Sequence, residues 1–322
     1  MKILILGAGG MLGQKLVKQI LKSDFNSINP SEIYLFDLYF PLQRDIGVNI
    51  IKGDLGDPKQ IKKLATKHFD IIFHLAAIVS GEAEENFEKG WQINLFSMWH
   101  LLEALKKEHL NSSAKYVPRI IFTSSIAVFG APYPDKIHDD FLCAPKTSYG
   151  AQKASAELLL SDFSRKGFVN GISLRLPTIC VRPGSANKAA SSFFSNIIRE
   201  PLNGKTAYLP VDTEVRHWHA SPRSAANFLI HATTIDSSSL NDRRSLNLPG
   251  VSCTVEEQIE ALRTIAGQKI VDHIISKPDP LIKGMVSGWP RNFLPEKALK
   301  LGFKAETNFE QIISTYIADD LE

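Results

Sequence analysis

Short runs of Ile, Leu, Val and Phe recur through the first half of the chain. They lie at 2–6 (KILIL), 32–37 (EIYLFD), 48–52 (VNIIK), 70–76 (DIIFHLA), 119–125 (RIIFTSS) and 171–177 (GISLRLP). Each is short and nearly continuously apolar, as strands buried on both faces should be. Between them lie longer stretches in which apolar positions recur at helical spacing, at 11–23, 58–68, 91–108 and 149–166. Strands alternating with helices predict an α/β fold built on a doubly wound parallel sheet.

The pattern changes after Arg175. Segments shorten, and Pro, Ser and Asn become frequent. The stretch 174–194 reads as loop, with helices predicted over 193–202, 221–233 and 254–267. The last opens on Thr254 with Glu257 three residues on, a capping-box pattern. No internal repeat or low-complexity tail is present.

Composition narrows the function classes. The chain has 322 residues, 44% of them hydrophobic, enough for one large domain or two modest ones. A net charge of +3 is too mild for a nucleic-acid groove or a membrane surface. The densest basic run, Lys59, Lys62, Lys63 and Lys67, is interleaved with Ile61, Leu64 and Ala65 and reads as a solvated helix face. Cys143, Cys180 and Cys253 are odd in number and far apart, so neither a disulfide framework nor a zinc site is expected. Each reads as a small packed side chain, and a reducing cytoplasm fits. No apolar run could span a bilayer. The N-terminal apolar run stops at Gly7, too soon for a secretion signal.

The glycines that stop it carry chemistry. GAGGMLG follows the first strand and opens the first helix, with Gly7, Gly10 and Gly13 spaced G-x-x-G-x-x-G. Such a turn lets the backbone approach a pyrophosphate, and the helix N-terminus supplies N–H donors and a favourable dipole. Asp37 ends the second strand, where a carboxylate would accept from ribose hydroxyls and repel a 2′-phosphate, favouring NAD over NADP. In GDLGD, Asp57 precedes Pro58 and is the better helix cap, leaving Asp54 for the adenine amino group and Leu55 for its ring. Ala76 and Ala77 of HLAA are small enough for close passage of a cofactor, and His74 reads as a packed strand residue. Thr123, Ser124 and Ser125 end the fifth strand at the ligand crevice of such a sheet. One of these hydroxyls should bond backbone, and Ser125 is the best placed to face substrate. Tyr149 and Lys153 stand four apart, on one face of a helix.

GAGGMLG, Asp37, GDLGD, HLAA, Asn94, SSIAVFG and YGAQK, in this order, resemble an extended short-chain dehydrogenase/reductase, the group of NAD-dependent epimerases and dehydratases. The resemblance covers nearly the whole chain. It implies a Rossmann-type NAD-binding domain over 1–175, joined by 218–247, and a smaller C-terminal substrate-binding α/β subdomain over 176–217 and 248–322. It implies that Ser125, Tyr149 and Lys153 are the catalytic set, and that Met11, Leu12, Leu75, Asn94 and Pro177 also line the NAD site. A free tyrosine titrates near ~10. The Lys153 ammonium should lower that value and let Tyr149 take a hydroxyl proton, with Ser125 holding the oxygen.

Departures within the family narrow the substrate. Dehydratases carry Thr-Asp-Glu where this chain has Ser125, Ile126 and Ala127. The arginine motifs that clamp a nucleotide diphosphate are reduced to RHWHASPR (216–223) and SGWPRNF (287–293), and Phe129 replaces a usual tyrosine. AAIVSGEAE (76–84), LRLPTICVRPG (174–184), NKAASSFFSNIIREPLNG (187–204), RHWHASPRSA and SGWP are similar to one subgroup, the D-erythronate dehydrogenases. This implies a small sugar-acid substrate, with Ser80, Thr178, Arg182, Asn187 and Arg216 joining Ser125 and Tyr149 around it. Arg182 could instead bridge loop to body, Arg216 could be a surface ion-pair partner, and Trp289 could be core. The apolar surface of helices 91–108 and 149–166 exceeds what one sheet face needs, and in this family such helices pair in a homodimer. A sugar-nucleotide epimerase is the rival enzyme. An NAD-sensing protein is the rival of another class, though such proteins commonly lack the tyrosine or lysine.

Overall fold

In the computed structural model, residues 1–22, 29–41, 47–184, 190–240 and 243–321 are described. Asn187 lies outside them. Six strands follow the apolar runs: β1 (Ile3–Leu6), β2 (Ile33–Asp37), β3 (Asn49–Lys52), β4 (Ile71–His74), β5 (Arg119–Ser125) and β6 (Asn170–Leu176). A seventh, β7 (Ser245–Asn247), escaped the pattern because it is three residues long and flanks Leu246 with two polar side chains. Among the described residues these form one sheet in the order β3-β2-β1-β4-β5-β6-β7, every pair parallel. The chain starts at β1 and winds outward in both directions, so β1 and β4 flank the switch point where a crevice opens beyond the strands' C-terminal ends.

Alternation along each strand builds two cores. Ile3 and Ile5 pack with Ile33, Leu35, Phe73 and Ile172 on one face, under α1 (Met11–Lys22). Leu4 and Leu6 pack with Phe36, Ile72, Ile120 and Phe122 on the other. That second face is covered by α2 (Pro58–Ala65), α3 (Ser97–Asn111) and α4 (Ser148–Arg165). A fifth helix, α5 (Pro222–Ala232), returns Phe228, Leu229 and Ala232 to the first face beside α1. The edge strand β3 differs from its expected burial: its side chains alternate, and Ile50 is exposed.

A third core lies in the second half. Strands Thr178–Ile179, Arg216–Ala220 and Val251–Thr254 form a small sheet. Helices Ser192–Leu202, Val255–Ala266 and Phe309–Asp320 pack Phe194, Ile197, Leu262, Ile312 and Tyr316 around it. The capping box of Thr254 and Glu257 forms as its pattern predicts. The stretch read as loop after Arg175 therefore contains a strand, Thr178–Ile179, too short to carry a periodicity. Cys180 and Cys253 are packed into this core, whereas Cys143 departs from expectation by being exposed. Among the described residues no helix is long and apolar enough to cross a membrane.

Candidate active site

The glycine turn sits at the switch point. Gly7 has φ +84°, and a Cβ there would lie 2.5 Å from the Ala76 nitrogen, so HLAA passes against the turn. A Cβ on Gly9 would strike the Tyr39 carbonyl, and one on Gly13 would lie 2.5 Å from the Gly7 carbonyl. Gly10 differs: its Cβ would meet protein only at 3.5 Å, at the Gly7 carbonyl. It heads α1 with open space before it, a cradle that a pyrophosphate fits. Met11 and Leu12 begin that helix. The Gly9 N–H donates to the Asp37 carboxylate (2.9 Å), which holds this acid beside the turn at the end of β2.

Of the neighbouring acids, Asp57 takes the capping role its sequence context predicts. Asp57 caps α2, accepting from Lys59 N–H at 2.9 Å. Asp54 instead accepts from Gly56 N–H (2.7 Å), closing its own turn next to buried Leu55. Leu75 and Ala76 N–H groups both donate to the Leu6 carbonyl, and Ala77 follows them past the turn. Asn94 is buried, on a wide helical turn over Gln92–Phe96 that no periodicity announces. Its carbonyl accepts from Ile78 N–H (2.9 Å), and its amide donates to the Ile78 carbonyl (3.2 Å) and Gln152 Oε1 (2.7 Å). Asn94 therefore pins Ile78 and ties it to Gln152 of α4, with Ser80 beginning the next helix.

The three hydroxyls at the end of β5 separate cleanly. Thr123 donates to the His74 carbonyl at 3.2 Å. Ser124 donates to Glu157 at 2.5 Å and is buried. Ser125 alone keeps surface, and it stands close enough to the Tyr149 hydroxyl to pull its pKa down. Its oxygen also accepts from Ala127 N–H, 3.1 Å. Thr147 caps α4 and sets Tyr149 and Lys153 one turn apart over β5.

The electrostatics reverse one expectation. Burial pushes Tyr149 up to about 12, against the lowering pull of the Ser125 hydrogen bond. Tyr149 is half-buried, and Lys153 is not among the influences on its pKa. Lys153 is fully buried, which brings it down to about 7 against the raising influence of Glu157. Its ammonium donates to the Thr123 carbonyl at 2.8 Å and stands 5.6 Å from the Tyr149 ring centre. His74 is packed edge-on against Phe122, its ring nitrogens without partners, and burial brings it down to about 3. It is a neutral wall of the site.

Behind Lys153 lies a network that the sequence reading missed. Glu157, one turn further along α4, accepts from Arg175 Nη2 at 2.7 Å and Nε at 3.0 Å, with Ser124 as a third donor. A charged residue recurring on the apolar face of α4 was the available signal.

The residues expected around a substrate differ in their partners. Arg182 follows the strand Thr178–Ile179. Its Nη2 donates to Ser192 Oγ at 3.3 Å, and no carboxylate pairs with it among the described residues. Burial is the largest influence lowering its pKa. Arg216 is occupied: it pairs with Glu257 at 3.1 Å and donates to the Ser252 carbonyl at 3.1 Å, bracing the small sheet. This pair is the ion-pair alternative that the sequence left open for Arg216. Pro177 links β6 to Thr178, whose register neighbours place it two residues past the Leu176–Ser125 pair. Trp289 is partly buried against the third core and lies 5.2 Å, ring to ring, from His217.

The geometry agrees with what this chain is similar to. A family model described as the NAD dependent epimerase/dehydratase family matches residues 3–225. The chain is 41% identical to D-erythronate dehydrogenase of Haemophilus influenzae over all of both chains. It is also 41% identical to D-erythronate dehydrogenase of Cupriavidus necator, over 99% of this chain and 98% of that one. A crystal structure of a nucleoside-diphosphate-sugar epimerase from Agrobacterium tumefaciens has a TM-score of 0.93 and 49% identity, covering all of this chain and 94% of that chain.

Two outcomes follow from this geometry. Gly10→Ala meets no protein clash, so its thermal midpoint should stay near wild type while the Kd for NAD rises about tenfold or more. Gly13→Ala should lose stability as well, because its Cβ collides with backbone. Equal NAD affinity in Gly10→Ala would remove the cradle. Lys153 gives the second. Between about pH 7 and 10 the unfolded chain holds a proton on this lysine that the folded chain has released, so stability from this group rises with pH through that window. Urea titrations should show that rise, and Lys153→Met should flatten it. A parallel pH dependence in both proteins would show that Lys153 stays charged when folded.

Proposed function

Because this chain belongs to the NAD dependent epimerase/dehydratase family, we propose that it is an NAD-dependent dehydrogenase oxidising D-erythronate at C2 to 2-oxo-D-erythronate. The observation that carries this reading is Arg182, a largely buried guanidinium with no carboxylate partner among the described residues. A small anionic substrate supplies the missing charge through a charge-assisted, bidentate bond. Identity of 41% along the full length with two D-erythronate dehydrogenases supports the same substrate.

The residues divide the work. The turn at Gly7, Gly10 and Gly13 with Met11 and Leu12 takes the pyrophosphate, Asp37 the adenosine ribose, and Asp54, Leu55, Leu75, Ala76, Ala77 and Pro177 the rest of the walls. The bound nicotinamide supplies the hydride acceptor and a positive charge. Tyr149 takes the C2 hydroxyl proton, and Ser125 holds that oxygen through its own hydroxyl. Lys153, released from the Thr123 carbonyl, bonds the nicotinamide ribose and offsets the burial that raises Tyr149. In this reading 1–175 with 218–247 holds NAD, and 176–217 with 248–322 closes over the acid. Three unpaired cysteines fit a cytoplasmic enzyme.

A second reading rests on the 49% identity to a structure described as a nucleoside-diphosphate-sugar epimerase. An epimerase would retain NAD and show no net NADH. A panel of four- to six-carbon aldonates and UDP-sugars, followed by NADH absorbance, separates the two. Turnover of UDP-sugars with none of aldonates rejects the sugar-acid reading.

We also propose a homodimer. Phe96 and Trp99 on α3 and its approach, with Leu158 on α4, are exposed. Leu95, Phe96, Trp99, Ser155 and Leu159 line one apolar hollow between these helices. A second copy would cover it with the same residues.

Variants give the tests. Tyr149→Phe should lower kcat by about 10²–10⁴-fold with NAD affinity nearly unchanged. Arg182→Met should raise KM for the acid steeply, because losing such a pair costs on the order of 2–5 kcal/mol. Arg216→Met should bind the acid nearly as wild type does. The reverse order of the two arginines would move the carboxylate to Arg216. For the dimer, Trp99→Glu should halve the mass seen by light scattering, and a wild-type monomer at micromolar concentration would sink the pairing.

A further inference from the structure

The polar group nearest the end of β6, beyond Ser125's partner strand, is Thr178. It lies two residues past the Leu176–Ser125 pair, at the C-terminal edge of the sheet where the crevice opens, and is partly exposed. Its hydroxyl lies 2.7 Å from His217 Nε2. The other ring nitrogen, Nδ1, lies 2.8 Å from the Pro290 carbonyl. His217 is buried between Phe194, stacked at 5.3 Å, and Trp289.

These partners determine where the hydrogens go. A carbonyl oxygen only accepts, so Nδ1 must carry the hydrogen. No carboxylate stands beside this buried imidazole among the described residues, and burial lowers it to about 4, so it stays neutral. The remaining nitrogen, Nε2, therefore only accepts. Thr178 must donate to it, and the threonine oxygen is left with lone pairs toward the crevice. A side chain that could have offered a substrate either a donor or an acceptor offers only an acceptor.

We propose that His217 is a positioning residue that sets specificity: by taking the Thr178 hydrogen it makes Thr178 an acceptor for a substrate hydroxyl and closes that position to carboxylate, carbonyl or ether oxygen. The inference rests on the sugar-acid reading above and adds which kind of substrate group this side of the crevice takes. It also gives the SGWP stretch a role. The Tyr133 hydroxyl lies 2.9 Å from the Gly288 carbonyl and ties this stretch to the loop after β5, so that the Pro290 carbonyl reaches His217. The Trp289 ring lies against His217, and the hydrogen-bond chain Pro290–His217–Thr178 ends at the crevice.

Two measurements on the full chain with NAD test it. Histidine ¹⁵N spectra, assigned by loss of one ring in His217→Gln, should show a neutral Nδ1–H tautomer from about pH 6 to about pH 8. An Nε2–H tautomer overturns the proposal. Kinetics on the 3-deoxy and 4-deoxy forms of the oxidised aldonate give the second arm. Wild type should lose about tenfold or more in kcat/KM on one of them. Thr178→Val and His217→Phe should both erase that discrimination. Thr178→Ser should keep it, as should His217→Gln, whose amide can donate to Pro290 and accept from Thr178. Undiminished discrimination in Thr178→Val overturns the proposal even if His217→Phe fails to fold. Oxidation of no aldonate at all rejects the sugar-acid reading, and the proposed ligand with it. Oxidised aldonates with no deoxy penalty reject only the role of Thr178 and His217.

Discussion

The Glu157 carboxylate, buried in α4, is the interaction on which the site depends. It receives two nitrogens of Arg175 from β6 and the hydroxyl of Ser124 from β5. Arg175 reaches onward to Asn247 of β7 at 3.3 Å and to Cys143 at 3.1 Å, and lies over the Phe129 ring. One ion pair thus joins three strands of the sheet to the helix that carries Tyr149 and Lys153. Taking two charges out of water is costly, and a pair of apolar residues could often fill the space at equal stability. The polar version fixes something an apolar one would not. It has one geometry, which sets α4 in register along β5 and keeps Tyr149 facing Ser125.

The same carboxylate acts on charge. Lys153 sits one turn away, with Glu157 favouring its ammonium and burial opposing it. Burial prevails, leaving Lys153 near 7 and Tyr149 near 12. The protein alone therefore holds its tyrosine protonated at neutral pH. A bound cationic ring, with Lys153 turned from the Thr123 carbonyl toward a ribose, would reverse that balance.

How much of this could be read from the sequence depends on the range of the contact. Strands β1, β2, β4, β5 and β6 were legible because a buried strand is apolar nearly throughout, and β3 because of Ile50 and Ile51. The glycine turn was legible because its steric demands leave only one residue type. The Tyr149–Lys153 pair was legible because a helix turn links them. The short strands Ser245–Asn247 and Thr178–Ile179 were not, since two or three residues carry no period. The expected lowering of Tyr149 gives way to a raised value because burial is a property of the packed surroundings, and the same burial brings Lys153 down to about 7. Arg216 and Arg182 looked alike along the chain. Only folding brought Glu257 to the first.

The substrate side shows the deeper limit. Thr178, His217 and Pro290 lie in separate stretches far apart in sequence, and no spacing along the chain links them. Their meaning is an ordering of hydrogens, which follows from one fact: a proline carbonyl can accept and never donate. That fact passes through an imidazole to a threonine and ends as a preference at the crevice. The NAD half of the site is built from glycine sterics and strand ends and serves a whole family. The substrate half is built from side chains whose polarity is imposed by partners one step removed. Two members of this family could therefore share every residue of the first half, and even the threonine, and still select different substrates through what stands behind it.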